Sequence, residues 1–285
     1  MSAGRIRIGV VAPGGRIEPT LAEKLTALAQ AQFKDRAPEL LFHPQCFLSS
    51  GHFAGNDKTR AEAFLDVAND ANFDALWFAR GGYGSARLAE RVLAGLTDAA
   101  RHKTYLGYSD AGSMLAALYT RGFQNLAHGP MAADLTRDGG EQAVCRALAY
   151  LVDRAPETLE PSVSPDHPSA AFNIMILSHL IGTPLQPDLT GHVLMLEEVG
   201  EYMYRVDRSL QHIVSNADIR KTAGIRLGRW SPIPPNDPDF GQTEEEVIRH
   251  WCAVSGIPYL GRADIGHDIH NKIVPFGRFK PRAAA

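Results

Sequence analysis

The sequence predicts an α/β protein built on a doubly wound parallel sheet. Three observations point there. Short apolar runs alternate with amphipathic stretches from residue 6 to residue 151. Gly-rich turns follow two of the apolar runs, and several amphipathic stretches open with a helix-capping signature.

Ile6–Ala12 (IRIGVVA) has the pattern of a buried strand and ends in a Gly-Gly turn. Thr20-x-x-Glu23 then has capping-box spacing, and Leu21, Leu25, Leu28 and Ala29 continue one helical face. Leu40–His43 is a second strand, and Thr59-x-x-Glu62 opens a second helix. Ala75–Ala79 (ALWFA) is a third strand. It runs into the loop Arg80-Gly81-Gly82-Tyr83-Gly84 and a helix through Leu88, Val92 and Leu96. Strand Thr104–Gly107, helix Met114–Tyr119, strand Asn125–Ala127 and a helix around Val144–Leu151 follow. Alternation at this pace means parallel strands joined by crossover helices.

The pattern then breaks. Asp153–Ser169 holds four prolines and has no periodicity, which marks a linker. Domains are expected at 1–153 and 170–285, with the linker at 154–169. The second part is less regular: an apolar stretch Ala170–Ile181, a strand His192–Leu196, a helix Val206–Val214 and a strand Gly224–Trp230. A Pro-rich turn at 232–238 and a helix opened by Thr243-x-x-Glu246 come next. There are no internal repeats.

Composition narrows the function classes. A net charge of −3 with no long run of either sign offers no basic patch for nucleic acid or an anionic membrane. The first residues lack a signal-peptide pattern, and no segment approaches the roughly 20 apolar residues of a membrane helix. Cys46, Cys145 and Cys252 are odd in number and far apart, so they read as reduced thiols. A cytoplasmic location is expected.

Four segments could carry chemistry. In Thr104-Tyr-Leu-Gly-Tyr-Ser109-Asp110-Ala111 a strand runs straight into a helix with Ser109 at the turn, where helix amides could hold an oxyanion. A plain helix cap by Ser109 or Asp110 is the rival reading. The loop at 80–84 brings backbone amides close to a bound group; a phosphate cradle, an oxyanion loop and a tight turn all remain open. Glu197 is the first charge leaving the strand in His192-Val-Leu-Met-Leu-Glu197-Glu198, with Glu198 and Glu201 expected in solvent or paired with Arg205 and Arg208. In Gly261-Arg-Ala-Asp264-Ile-Gly-His267-Asp268-Ile-His270, His267 suits a general base, with His128 its rival. A metal at Asp264, His267, Asp268 and His270 is disfavoured for want of a matched ligand pair. An elbow Ser, a later Glu and a still later His follow the chain order Ser…acid…His.

At these motifs the chain resembles the LD-carboxypeptidases (muramoyltetrapeptide carboxypeptidases), with the microcin C resistance peptidases as a sister group. The resemblance runs in order through GVVAPGG, ARGGYGSARL at 79–88, GYSD at 107–110 and HGPM at 128–131. It continues through GTPLQPDLTGHVLMLEEVGEYMYRVDRSL at 182–210 and GHDIHNKIVPFG at 266–277. It implies a flavodoxin- or Rossmann-like N-terminal domain and a smaller β-rich C-terminal domain. It further implies a Ser109–Glu197–His267 triad and an oxyanion hole formed by the amides of Gly82 and Asp110. No metal or other cofactor is implied, and a homodimer is. The implied reaction releases terminal D-Ala from murein tetrapeptide, a small peptide substrate, during cytoplasmic cell-wall recycling. Arg80 and Tyr83 are candidate substrate contacts, Arg80 for a carboxylate. The alternatives are a microcin-type peptidase acting on a peptidyl or aminoacyl-nucleotide conjugate, and a non-catalytic ligand-binding module. Ala111-Gly112 after GYSD and Ala170-Ala-Phe-Asn173 depart from the family pattern near the expected substrate.

Overall fold

The structure, a computed structural model, describes residues 5–280. Strands β1 (Arg7–Val11), β2 (Glu39–Phe42), β3 (Ala75–Phe78), β4 (Thr104–Gly107) and β5 (Leu126–His128) pair in parallel. Their order is β5-β4-β3-β1-β2, and β10 (Val274–Pro275) adds to β5 from the far end of the chain, antiparallel. The crossovers are α1 (Pro19–Phe33), α2 (Asp57–Asn69), α3 (Ala89–Gly95) and α4 (Ala111–Thr120), with α5 (Glu141–Asp153) following β5.

The smaller second part carries its own sheet of four parallel strands in the order β6 (Ser169–Asn173), β7 (Val193–Glu198), β8 (Gly224–Trp230), β9 (Tyr259–Arg262). Helices α6 (Ile174–Leu180), α7 (Met203–Ser215) and α8 (Glu244–Ser255) alternate with these strands. The segment at 154–169 is anchored to the last strand region by bridges between Leu159 and Ile273 and between Ser169 and Gly277.

Two helix starts differ from expectation. Pro19 opens α1 behind Glu18, ahead of the Thr20 box, because a proline at the first position lacks an amide that would go unpaired anyway. Asn56, accepting from the Thr59 amide at 2.9 Å, caps α2 in place of Thr59. The Thr243/Glu246 box forms as read, with Thr243 N donating to Glu246 at 2.7 Å.

One apolar cluster runs from Phe64, Phe78 and Tyr105 through Met114 and Leu115 of α4 to Phe172, Leu196 and Trp230. The two sheets therefore share a core across α4 and α6. A second cluster (Leu25, Trp77, Leu148) covers the other face of the first sheet. Among the described residues no helix is long and apolar enough to cross a membrane.

Candidate active site

The turn between β4 and α4 is strained. Ser109 has φ +59°, a left-handed conformation that costs an L-residue about 1 kcal/mol. The flanking bonds hold it there: Ala111 N donates to Tyr108 O at 3.2 Å and Gly112 N to Ser109 O at 2.8 Å. Gly107 is needed just before the turn, because a Cβ there would lie 2.7 Å from the Phe78 ring.

Asp110 does not cap α4 with its side chain, so the plain-cap reading of that carboxylate is corrected. The buried carboxylate turns instead to the Gly-rich loop after β3. It accepts from Gly84 N at 3.2 Å and Ser85 N at 2.8 Å. Burial pushes its pKa up, against the pull of those amides. From the other side the fully buried Arg60 donates to Gly84 O at 3.2 Å and to Pro13 O, and pairs with Asp57. From below, Gly14 packs so closely that a Cβ on it would lie 2.6 Å from Gly82 O. Three neighbours thus clamp a loop whose Gly82, at φ +85°, needs a glycine's freedom. The amides of Gly82 and Asp110 donate to no other group among the described residues.

Glu197 and His267 come from the second sheet. Glu197 is the next-to-last residue of β7, where the register against β8 shifts, and Gly228 makes room: a Cβ there would lie 2.9 Å from that of Glu197. The Glu197 carboxylate is fully buried and hydrogen-bonded to His267 Nδ1. Burial, the largest single influence, opposes the imidazolium, but the carboxylates of Glu197, Glu198 and Asp134 together outweigh it, and the pKa of His267 is raised. Nε2, the nitrogen turned away from Glu197, is buried and makes no hydrogen bond. The His267 ring lies 4.8 Å from that of Tyr108, the neighbour of Ser109. Arg229 holds both sides of the His267 segment, bonding Asp268 (2.9 Å from Nη2) and Asp264. Those two carboxylates are committed to a guanidinium, and no group of His, Cys, Asp or Glu among the described residues is arranged to hold a metal.

Glu198 is corrected. It is buried, not solvated, and accepts from Asn173 Nδ2 at 2.6 Å and from the amides of Met175 and Val199, each at 2.9 Å. The reason is that β7 lies between β6 and β8 with α6 over its end, so no residue there reaches water. Burial pushes its pKa up to about 7. Glu201 does pair with Arg205, at 3.5 Å. The rival base His128 is buried, bonded through Nε2 to Asn271 at 3.2 Å, and does not reach the cavity; burial lowers its pKa to about 4.

A cavity of about 670 Å³ brings Ser109, His267, Gly81, Gly82, Arg80 and Tyr108 onto one wall system, closed by α1 and by residues 131–137. Ser109 and His267 share this cavity without a hydrogen bond between them; such bonds are often long before substrate arrives. Arg80 is on the wall, and among the described residues its one side-chain hydrogen bond is a 3.4 Å bond to Arg16 O. Tyr83 is not on the wall. It is 58% exposed beside the rings of His52 and Phe53, because the clamped loop turns it outward. Arg60 and the Asp110 carboxylate were missed by sequence reasoning. The legible signal for Arg60 was its place on the apolar face of α2 with Phe64 and Val67, where a charge needs a buried partner.

Residues 8–129 match the LD-carboxypeptidase N-terminal domain and residues 170–279 the LD-carboxypeptidase C-terminal domain. A Synechocystis sp. protein classed by name as a carboxypeptidase is 30% identical, over 95% of this chain and 89% of that one. The murein tetrapeptide carboxypeptidase of Pseudomonas aeruginosa is 27% identical, over 80% of this chain and 78% of its own. The crystal structure of muramoyltetrapeptide carboxypeptidase from Oxalobacter formigenes has the same fold. Its TM-score is 0.77 at 24% identity, covering 95% of this chain and 92% of that one. MccF in complex with glutamyl sulfamoyl guanosine also shares the fold, with a TM-score of 0.76 at 17% identity, covering 96% and 92%.

Proposed function

Since the chain belongs to the LD-carboxypeptidase family and is a serine carboxypeptidase, we propose that it releases the terminal D-Ala of murein tetrapeptide through a Ser109–Glu197–His267 triad. The observation that carries this reading is a strained serine sharing a cavity with an imidazole that a buried glutamate holds by the other nitrogen.

In the proposed reaction, His267 Nε2 takes the Ser109 proton as Oγ attacks the carbonyl carbon. The oxyanion accepts from the Gly82 and Asp110 amides. Collapse expels the D-amino acid, whose nitrogen takes the proton from His267, and leaves an acyl-enzyme. Water, deprotonated by the same imidazole, then adds to the ester carbonyl and frees Ser109. Glu197 keeps the proton of neutral His267 on Nδ1 and stabilises the imidazolium between the steps.

A nucleotide-conjugate substrate would be favoured by an aromatic platform from the second sheet on the cavity wall. The wall's aromatic ring is Tyr108, from the first sheet and packed on His267. The reading carries with it a cell-wall recycling role in the cytoplasm and a homodimeric state. Purified muropeptides incubated with the protein should lose one alanine by mass spectrometry, and Ser109→Ala should abolish that loss while keeping the native circular dichroism. Full release by Ser109→Ala would end the proposal.

A further inference from the structure

The cavity wall is basic. Arg16 pairs with Glu18 at 3.0 Å and Arg137 with Asp134 at 2.8 Å, while Lys24 and Arg80 have no carboxylate partner among the described residues. Two uncompensated cations favour a negatively charged ligand. They are exposed and loosely held, so they attract without orienting.

Arg137 is different. Its Nε donates to Asp134 Oδ1 at 2.8 Å and its Nη2 to the Tyr108 hydroxyl at 3.4 Å, while Nη1 makes no hydrogen bond among the described residues. Its anchors are themselves fixed. Asp134 is buried and accepts from Met131 N at 2.8 Å and from the Tyr108 hydroxyl at 2.9 Å. Gly140 wraps the same turn, where a Cβ would lie 2.0 Å from Asp134 O. The guanidinium is therefore oriented before any ligand arrives, and little side-chain entropy remains to be lost on binding. Its anchor Tyr108 immediately precedes Ser109 and packs on His267.

We propose that Arg137 reads the free α-carboxylate of the residue to be released. That group is what separates a carboxypeptidase substrate from an internal peptide bond, and a planar guanidinium matches it with two donors. Lys24 and Arg80 supply the long-range attraction, and Arg137 supplies the register that sets the scissile carbonyl over Ser109. The assignment rests on the carboxypeptidase reading above, and its test separates the two.

The test compares an N-acetylated murein tetrapeptide ending in D-alanine with the same peptide ending in D-alaninamide. The wild-type ratio of kcat/KM, acid over amide, should be about 10- to 100-fold, the span of a charge-assisted hydrogen bond. Arg137→Gln should collapse that ratio to within about threefold. Arg137→Lys, which keeps the charge and loses the fork, should leave an intermediate ratio, and it carries the test if the glutamine variant proves unstable in thermal melts. A wild-type ratio kept by both variants overturns the role of Arg137 while leaving the peptidase reading standing. A wild-type protein that cleaves neither peptide overturns the peptidase reading and this assignment with it.

Discussion

Glu197 and His267 stand 70 residues apart in the chain, yet the fully buried carboxylate of one holds Nδ1 of the other. A buried charge is tolerated only with a partner, so each residue fixes the other, and the pKa of His267 is raised against burial by Glu197 together with the more distant Glu198 and Asp134. The general base proposed at His267 must be neutral to work. Activity should therefore rise with pH through a limb lying above the ordinary histidine value. Glu197→Gln should lower kcat about 10³-fold and move that limb to lower pH. The check is a pH profile of kcat/KM on both proteins, and a limb that stays in place would count against the pair.

The positive φ of Ser109 has a stability consequence. Ser109→Gly relieves a strained conformation, and it should raise stability by up to about 1 kcal/mol while removing activity. Denaturant midpoints of the two proteins measure this directly. A glycine variant less stable than wild type would show that the turn is not strained.

The Asp110 carboxylate holds the loop carrying the Gly82 amide. Asp110→Asn replaces one acceptor oxygen with a donor facing an N–H and should loosen that loop. If the Gly82 amide is the oxyanion donor proposed above, the expected outcome is a kcat fall of about tenfold or more with KM within about twofold, because such a donor acts in the transition state. Gly14→Ala should produce the same split through a different contact, since its Cβ would meet Gly82 O at 2.6 Å. A raised KM with kcat unchanged would point to a binding defect instead.

His128 gives a pH dependence of folding. Its folded pKa is lowered to about 4 by burial, so the unfolded chain takes up a proton first as pH falls. Its contribution is fully present above the ordinary value near 6.5 and is lost as pH falls from there toward 4, by about 3 kcal/mol in all. Urea unfolding at pH 7 and pH 4.5 should show the loss, and His128→Asn should flatten this part of the slope even where it lowers stability overall.

The alternation of strands and helices was legible because buried parallel strands are continuously apolar and their crossovers are amphipathic. Helix starts at Pro19 and Asn56 were not, because several residues near each start could serve and local spacing alone does not rank them. The elbow at Ser109 was legible as a strand running into a helix without a spacer.

Chain order and local pattern thus carry the fold class, the strand–turn–helix around Ser109 and the candidates Glu197 and His267. They could not carry the burial of Glu198, the outward turn of Tyr83 or the clamp of Arg60, Asp110 and Gly14 on the 80–84 loop. Each of those depends on which element lies against which: α6 over the end of β7, and β3 between β1 and β4. Neighbours along the chain encode periodicity, but contacts between distant segments arise only when the sheets pack and the core they share closes.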